Sequence, residues 1–210
     1  MRRTAALGLA LMLLCGTAPP AKDKAAAAAG WPCEAVPEKL PSFSRYWPER
    51  NAEAIAKNWR ADSANAALVA QIAPRSMSED EAIARIRARA ANAKDREQAM
   101  AALVAGLVET ISAERQAIIT GIYRFNERQG HLAKRIEGGY QQADKLPGTQ
   151  QAGDQRADFQ DQLDWDIRIF EDRQRTLPII CKQPAILEAR LKTLSDAARQ
   201  TVAAVASQAH

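Results

Sequence analysis

Between Arg96 and Leu146 the chain runs without a proline, while apolar side chains recur at Met100, Val104, Leu107, Ile111, Ile118, Ile122, Phe125, Leu132, Ile136 and Tyr140. The steps are three or four residues long, with Glu114 and Gln129 standing in two of the gaps. Such spacing places one apolar seam along a helix, in the manner of a coiled coil. About fifty residues of helix would extend about 75 Å, unless a break near Ser112 divides it. The chain therefore has to be built around a rod. No alternating Val/Ile/Thr run offers a competing sheet.

The rod needs a partner, and the sequence supplies one. Leu146 to Gly153 (LPGTQQAG) reads as a loop. A second long segment follows, with Phe159, Leu163, Ile167, Phe170 and Leu177 on one stripe and Ile186, Leu187, Leu191, Leu194 and Val202 on another. Pro178 and Pro184 are expected to kink it around Cys181. Folding the segments back pairs residues whose numbers sum to about 299, which matches apolar with apolar at most levels of an antiparallel helical hairpin. Ile136 then meets Leu163, Gln129 meets Phe170, Ile118 meets Cys181, and Leu107 meets Leu191. Asn126 and Gln129 fall near Arg173, a polar layer able to fix the register.

Upstream, residues 31–48 carry Pro32, Pro37, Pro41 and Pro48 and no helical period, so they read as an extended strap. Shorter helices are expected across 49–93: one from Pro48 or Asn51 to Arg60, one capped by Asp62 and running to Ile72, and one from Glu79 to Ala93 behind a Ser78/Glu81 capping box. Asp95 can cap the rod. The expected fold is all-α: a single helical domain over 31–210, made of the strap, the short helices and a hairpin over 95–206. Alanine accounts for much of the 47% hydrophobic composition and aromatics for only 5%, so the core should be narrow.

Residues 1–21 read as a signal peptide. Arg2 and Arg3 precede the apolar run Ala5 to Leu14, which at about ten residues is too short to span a bilayer. Small residues follow, and Pro19 argues for cleavage near Ala21 or later, leaving 22–30 as a linker. Cys15 is then lost. Leu13 and Leu14 before it disfavour lipidation, so membrane contact is expected only if the signal is retained or Cys15 is lipidated. The location expected is periplasmic, with inner- or outer-membrane anchoring as the alternative. The remaining cysteines, Cys33 and Cys181, form an even pair in an oxidising compartment without a CxxC motif, which reads as a structural disulfide. The net charge of +4 falls by two when Arg2 and Arg3 leave, and nucleic acid is not an expected partner of an exported chain.

No residue pattern implies a catalytic site, a cofactor or a metal. His131, between Glu127 and Arg135 at helical spacing, has no visible ligand set and reads as part of a solvated face. Asp158, Asp161, Asp164, Asp166, Glu171 and Asp172 form an acidic run in which Asp164–Arg168 and Glu171–Arg175 can pair at i,i+4. Arg85, Arg87, Arg89, Lys94 and Arg96 form a basic one, read as a solvated helix side with contact to anionic lipid as the alternative. Trp31, Phe43, Tyr46, Trp47 and Trp59 concentrate in and near the strap. They either cover the hairpin seam or form a stacking surface, and the narrow core favours covering.

WPCE at Trp31 to Glu34, RIFEDR at Arg168 to Arg173, and a C-x-x-P…E-x-R-L pattern from Cys181 to Leu191 resemble an exported helical protein family of proteobacteria. The resemblance implies that both cysteines and the C-terminal helix belong to one unit, and it transfers no catalytic residue. The expected function is a non-enzymatic binding or accessory protein contacting another envelope protein. Alternatives are a stress or chaperone-like helical hairpin and a membrane-tethered structural coiled coil.

Overall fold

A computed structural model describes residues 30–37, 39, 42–48, 52–145 and 150–206, the side chains of 52–53, 150–155 and 205–206 excepted. The residues read as a signal peptide, and nearly all of those read as a linker, lie outside this part. Seven helices occur in the described part: α1 Phe43–Tyr46, α2 Ala52–Asn58, α3 Ser63–Ile72, α4 Glu79–Ala91, α5 Arg96–Lys145, α6 Gln150–Cys181 and α7 Gln183–Ala206. A 3-10 turn, Trp59–Ala61, joins α2 to α3. The all-α hairpin expected from the apolar period is present, and α5 is one unbroken helix through Ser112.

Local chemistry sets the starts. The Asp62 carboxylate accepts from the Asn65 N–H at 3.0 Å, the Ser78 hydroxyl from the Glu81 N–H at 3.2 Å, and the Asp95 carboxylate from the Gln98 N–H at 2.9 Å. Each satisfies an orphan amide, a contribution of about 1 kcal/mol. The Glu81 side chain accepts from Arg85 Nη2 at 2.8 Å, so a neighbouring arginine takes the carboxylate assigned to the capping box.

Two boundaries differ from expectation and a third is sharpened. Gln150 to Gly153, expected in a loop, are helical, and the rest of that segment between α5 and α6, 146–149, lies outside the described residues. While Pro178 sits within α6, the interruption expected around Cys181 falls at Lys182, next to it. There Pro184 has no N–H to continue the ladder to Ile180, and Lys182 N–H reaches back three residues to the Ile179 carbonyl at 3.4 Å. The strap is not wholly extended, because Phe43–Tyr46 makes one helical turn.

The larger correction concerns the core. Every residue from Ala99 to Val108 is buried, so this part of α5 is a central helix covered on all sides rather than one face of a seam. It packs against α2, α3 and α7, while α4 lies on α7. Ile72, Ile86, Leu103, Leu107, Leu187 and Leu191 are almost completely enclosed there. Beyond Ile118 the partner of α5 is α6, and the two form an antiparallel arm with Ile122, Leu132 and Leu163 at its seam. The molecule is thus a bundle carrying a two-helix arm.

Candidate interaction surface

At the root of the arm, Cys33 and Cys181 form a disulfide with their Cα atoms 5.7 Å apart and 148 residues between them in sequence. Ile118, Ile180 and Cys33 pack against a small cluster of Trp31, Ile119 and Ile122, which is the level at which the hairpin register places Ile118 beside Cys181. Trp31 stacks at a tilt on Tyr123, with centroids 5.1 Å apart, and donates its indole N–H to Ala35 O at 2.8 Å. The strap rings are mostly covered: Trp31, Tyr46, Trp47 and Trp59 are all buried. They seal apolar surface and offer no stacking platform.

Along the arm the register is held by polar bonds. Gln129 Nε2 donates to the Phe170 carbonyl at 3.2 Å. The polar layer expected with Arg173 is built differently, since Asn126 Nδ2 donates to the carbonyl of Gly30, just before the strap, at 3.0 Å. Further out, Arg135 grips Asp166 with two hydrogen bonds of 2.6 Å. Asp166 is 3% exposed, and Gln162 Nε2 approaches it at 3.3 Å. The hydrogen-bonding Arg135 guanidinium holds the Asp166 carboxyl below its ordinary range against the opposing effect of burial. Asp166 therefore turns inward and leaves the acidic run. Asp158, Asp161, Asp164, Glu171 and Asp172 remain exposed. Arg175 pairs with Asp172, one turn back, in place of the expected Glu171.

The arm's outer surface carries large exposed aromatic groups. Trp165 is 60% exposed and Tyr140 51%. Helical spacing of four and seven residues puts Asp161, Asp158 and Asp172 on the same face as Trp165. Beside it runs a groove of about 600 Å³, lined by Gly138 and Gly139 of α5 and by Phe159, Leu163 and Ile169 of α6. A side chain at Gly138 would meet open space, so packing within the chain does not account for this glycine in a helix interior, where it costs about 1 kcal/mol relative to alanine. Sequence reading missed the surface. Its signal was a tryptophan lying off the Phe159–Leu163–Ile167–Phe170 stripe, on the polar side of α6.

The bundle holds two buried arginines. Arg115, 2% exposed, donates Nε–H to Glu188 at 2.5 Å. Arg190 is 5% exposed and donates to the carbonyls of Ile72 at 2.8 Å, of Pro74 and Met77 at 3.0 Å and of Ala73 at 3.3 Å. It closes the C-terminal end of α3. The E-x-R-L motif therefore serves bundle packing. In the basic run, Arg85 bonds Glu81 and Gln71, Arg89 bonds Asp62, and Arg96 bonds the Ala90 carbonyl. His131 lies on an exposed face. Among the described residues no group of three or more His, Cys, Asp or Glu side chains is placed to hold a metal ion, and no helix is long and apolar enough to cross a membrane. No family model, curated protein or solved structure matches the chain.

Proposed function

We propose that the protein is an exported, periplasmic, non-enzymatic binding or accessory protein that docks another envelope protein on the α5–α6 arm. The observation carrying this reading is Trp165, 60% exposed on a face it shares with Asp158, Asp161 and Asp172. An exposed indole ringed by carboxylates suits a cationic partner surface: lysine or arginine can lie over the ring while neighbouring cations meet the acids. The disulfide-clipped bundle supplies a rigid base from which the arm is presented.

Photo-crosslinking in cells from position 165 tests the reading, with position 87 on α4 as the control. One defined partner captured only from 165, and lost on Asp161→Lys, is the expected result. No specific adduct from 165 would refute it. A chaperone-like hairpin is the second reading, favoured by the exposed Trp165, Tyr140 and Phe159. It is distinguished by suppression of aggregation of unrelated clients. A membrane tether would require residues 1–15 to be retained, which an intact mass of the native protein decides.

A further inference from the structure

A hollow of about 510 Å³ opens where the strap crosses α7, well away from the face of the arm. Helical spacing builds its α7 wall from Ala185, Glu188, Ala189, Lys192, Asp196 and Arg199, and the two alanines keep the floor low. The strap contributes Lys39, Arg45 and Tyr46.

The two carboxylates are already committed. Glu188 accepts from buried Arg115 at 2.5 Å, and Asp196 accepts from Lys192 Nζ at 2.5 Å. Lys39 and Arg199 add two cations beyond those pairs, and Arg45 stands beside Tyr46. Tyr46 is the informative residue. It is 9% exposed, and among the described residues its hydroxyl has no hydrogen-bond partner. That hydroxyl is not enclosed by protein and faces the hollow. Burial also raises its pKa, with Glu188 adding to the effect and Arg45 and Arg115 opposing it.

We propose that this hollow binds a phosphate-type oxyanion, held by Lys39 and Arg199 with the Tyr46 hydroxyl donating to one of its oxygens. Surplus cations, a phenol hydroxyl facing the hollow and carboxylates neutralised by their own partners make a site that accepts negative oxygen. A guanidinium and an ammonium are the side chains suited to phosphate. The space exceeds that of one phosphate, so the group arrives either as free phosphate or as the headgroup of an anionic lipid.

Two measurements on the mature full chain separate these sources. Calorimetry with inorganic phosphate and pyrophosphate at constant ionic strength reads the free ion. Flotation with phosphatidylglycerol vesicles, against phosphatidylcholine vesicles, reads the headgroup. Saturable binding in either arm supports the site, and its absence from both overturns it. Lys39→Glu combined with Arg199→Glu should weaken binding about tenfold or more, as expected when charge-assisted bonds are lost. Tyr46→Phe should weaken it while leaving helicity by circular dichroism unchanged. Arg87→Glu, on exposed α4 surface, should have no effect. Binding equal in all of these variants would overturn the proposal, because the ion would then be responding to general charge. The readout does not involve the α5–α6 arm, so its outcome is independent of partner docking there.

Discussion

Gly106 and Trp59 share one space: a β-carbon at 106 would lie 2.7 Å from Trp59 Cε3 and 2.8 Å from Val69 Cγ2. The indole cannot easily withdraw. Its N–H donates to Glu109 at 2.8 Å, and Arg60 lies 4.2 Å above the ring while bonding the same carboxylate. Gly106→Ala should therefore destabilise the bundle by about 1–3 kcal/mol through overpacking. Gly121 and Gly130 face open space in the same helix, and alanine there should stabilise by roughly 0.5–1 kcal/mol each. Urea midpoints of the three variants check the opposite signs. Stabilisation by Gly106→Ala would contradict the close fit.

The Cys33–Cys181 bond closes a 148-residue separation, and loop-closure entropy alone assigns such a cross-link up to about 5 kcal/mol. Cys33→Ser is expected to lower unfolding free energy by about 2–5 kcal/mol and to free Trp31 from Ile119 and Ile122. Denaturant unfolding, read by tryptophan fluorescence and paired with limited proteolysis of the strap, tests both effects. An unchanged midpoint would mean that the strap is held by packing alone.

Arg190 donates to four carbonyls where α3 ends, a position at which the helix dipole also favours a cation. Arg190→Met keeps much of the stem but leaves buried carbonyls without donors. The expected cost is roughly 2–4 kcal/mol, against less than about 0.5 kcal/mol for Arg87→Met on exposed surface. Thermal unfolding of the two variants side by side is the check.

Asp166 provides a pH prediction with a definite sign. Arg135 holds its carboxyl below the ordinary 3.8, so the unfolded chain takes up this proton more readily than the folded one. The contribution to stability is complete above the ordinary carboxylate range and is lost as pH falls through the depressed folded value. Glu109 shifts in the same direction through Arg60 and Trp59, so a site-resolved readout is needed. Carboxyl carbon NMR should place the Asp166 midpoint below 3.8 in the native protein. Arg135→Ala should raise it, because burial then acts without the guanidinium.

Much of the hairpin was legible because its determinants are repetitive. The register that pairs Gln129 with Phe170 is realised as a hydrogen bond, and the level assigned to Ile118 is where the disulfide clips the strap. Arg115, however, reaches Glu188, one turn beyond the Pro184 that the same register assigns to it. The break at Lys182 and the length of the arginine side chain account for the difference. The exposed face of Trp165 was not legible, because the apolar period marks the buried stripe of α6 and says nothing of which residues off that stripe stay uncovered.

The sequence by itself determined what depends on neighbours within a few residues: the helix starts at Asp62, Ser78 and Asp95, the apolar period of α5, and the proline-rich strap. Caps and apolar periods act over one or two helical turns, so they can be read along the chain. Only the tertiary structure decided that Ala99 to Val108 is enclosed on every side, that Tyr46 and Arg115 are buried beside Glu188, and that Arg190 closes α3. Those outcomes depend on surfaces brought together from distant parts of the chain. An alanine-rich helix has the same local preference whether one neighbour covers it or three.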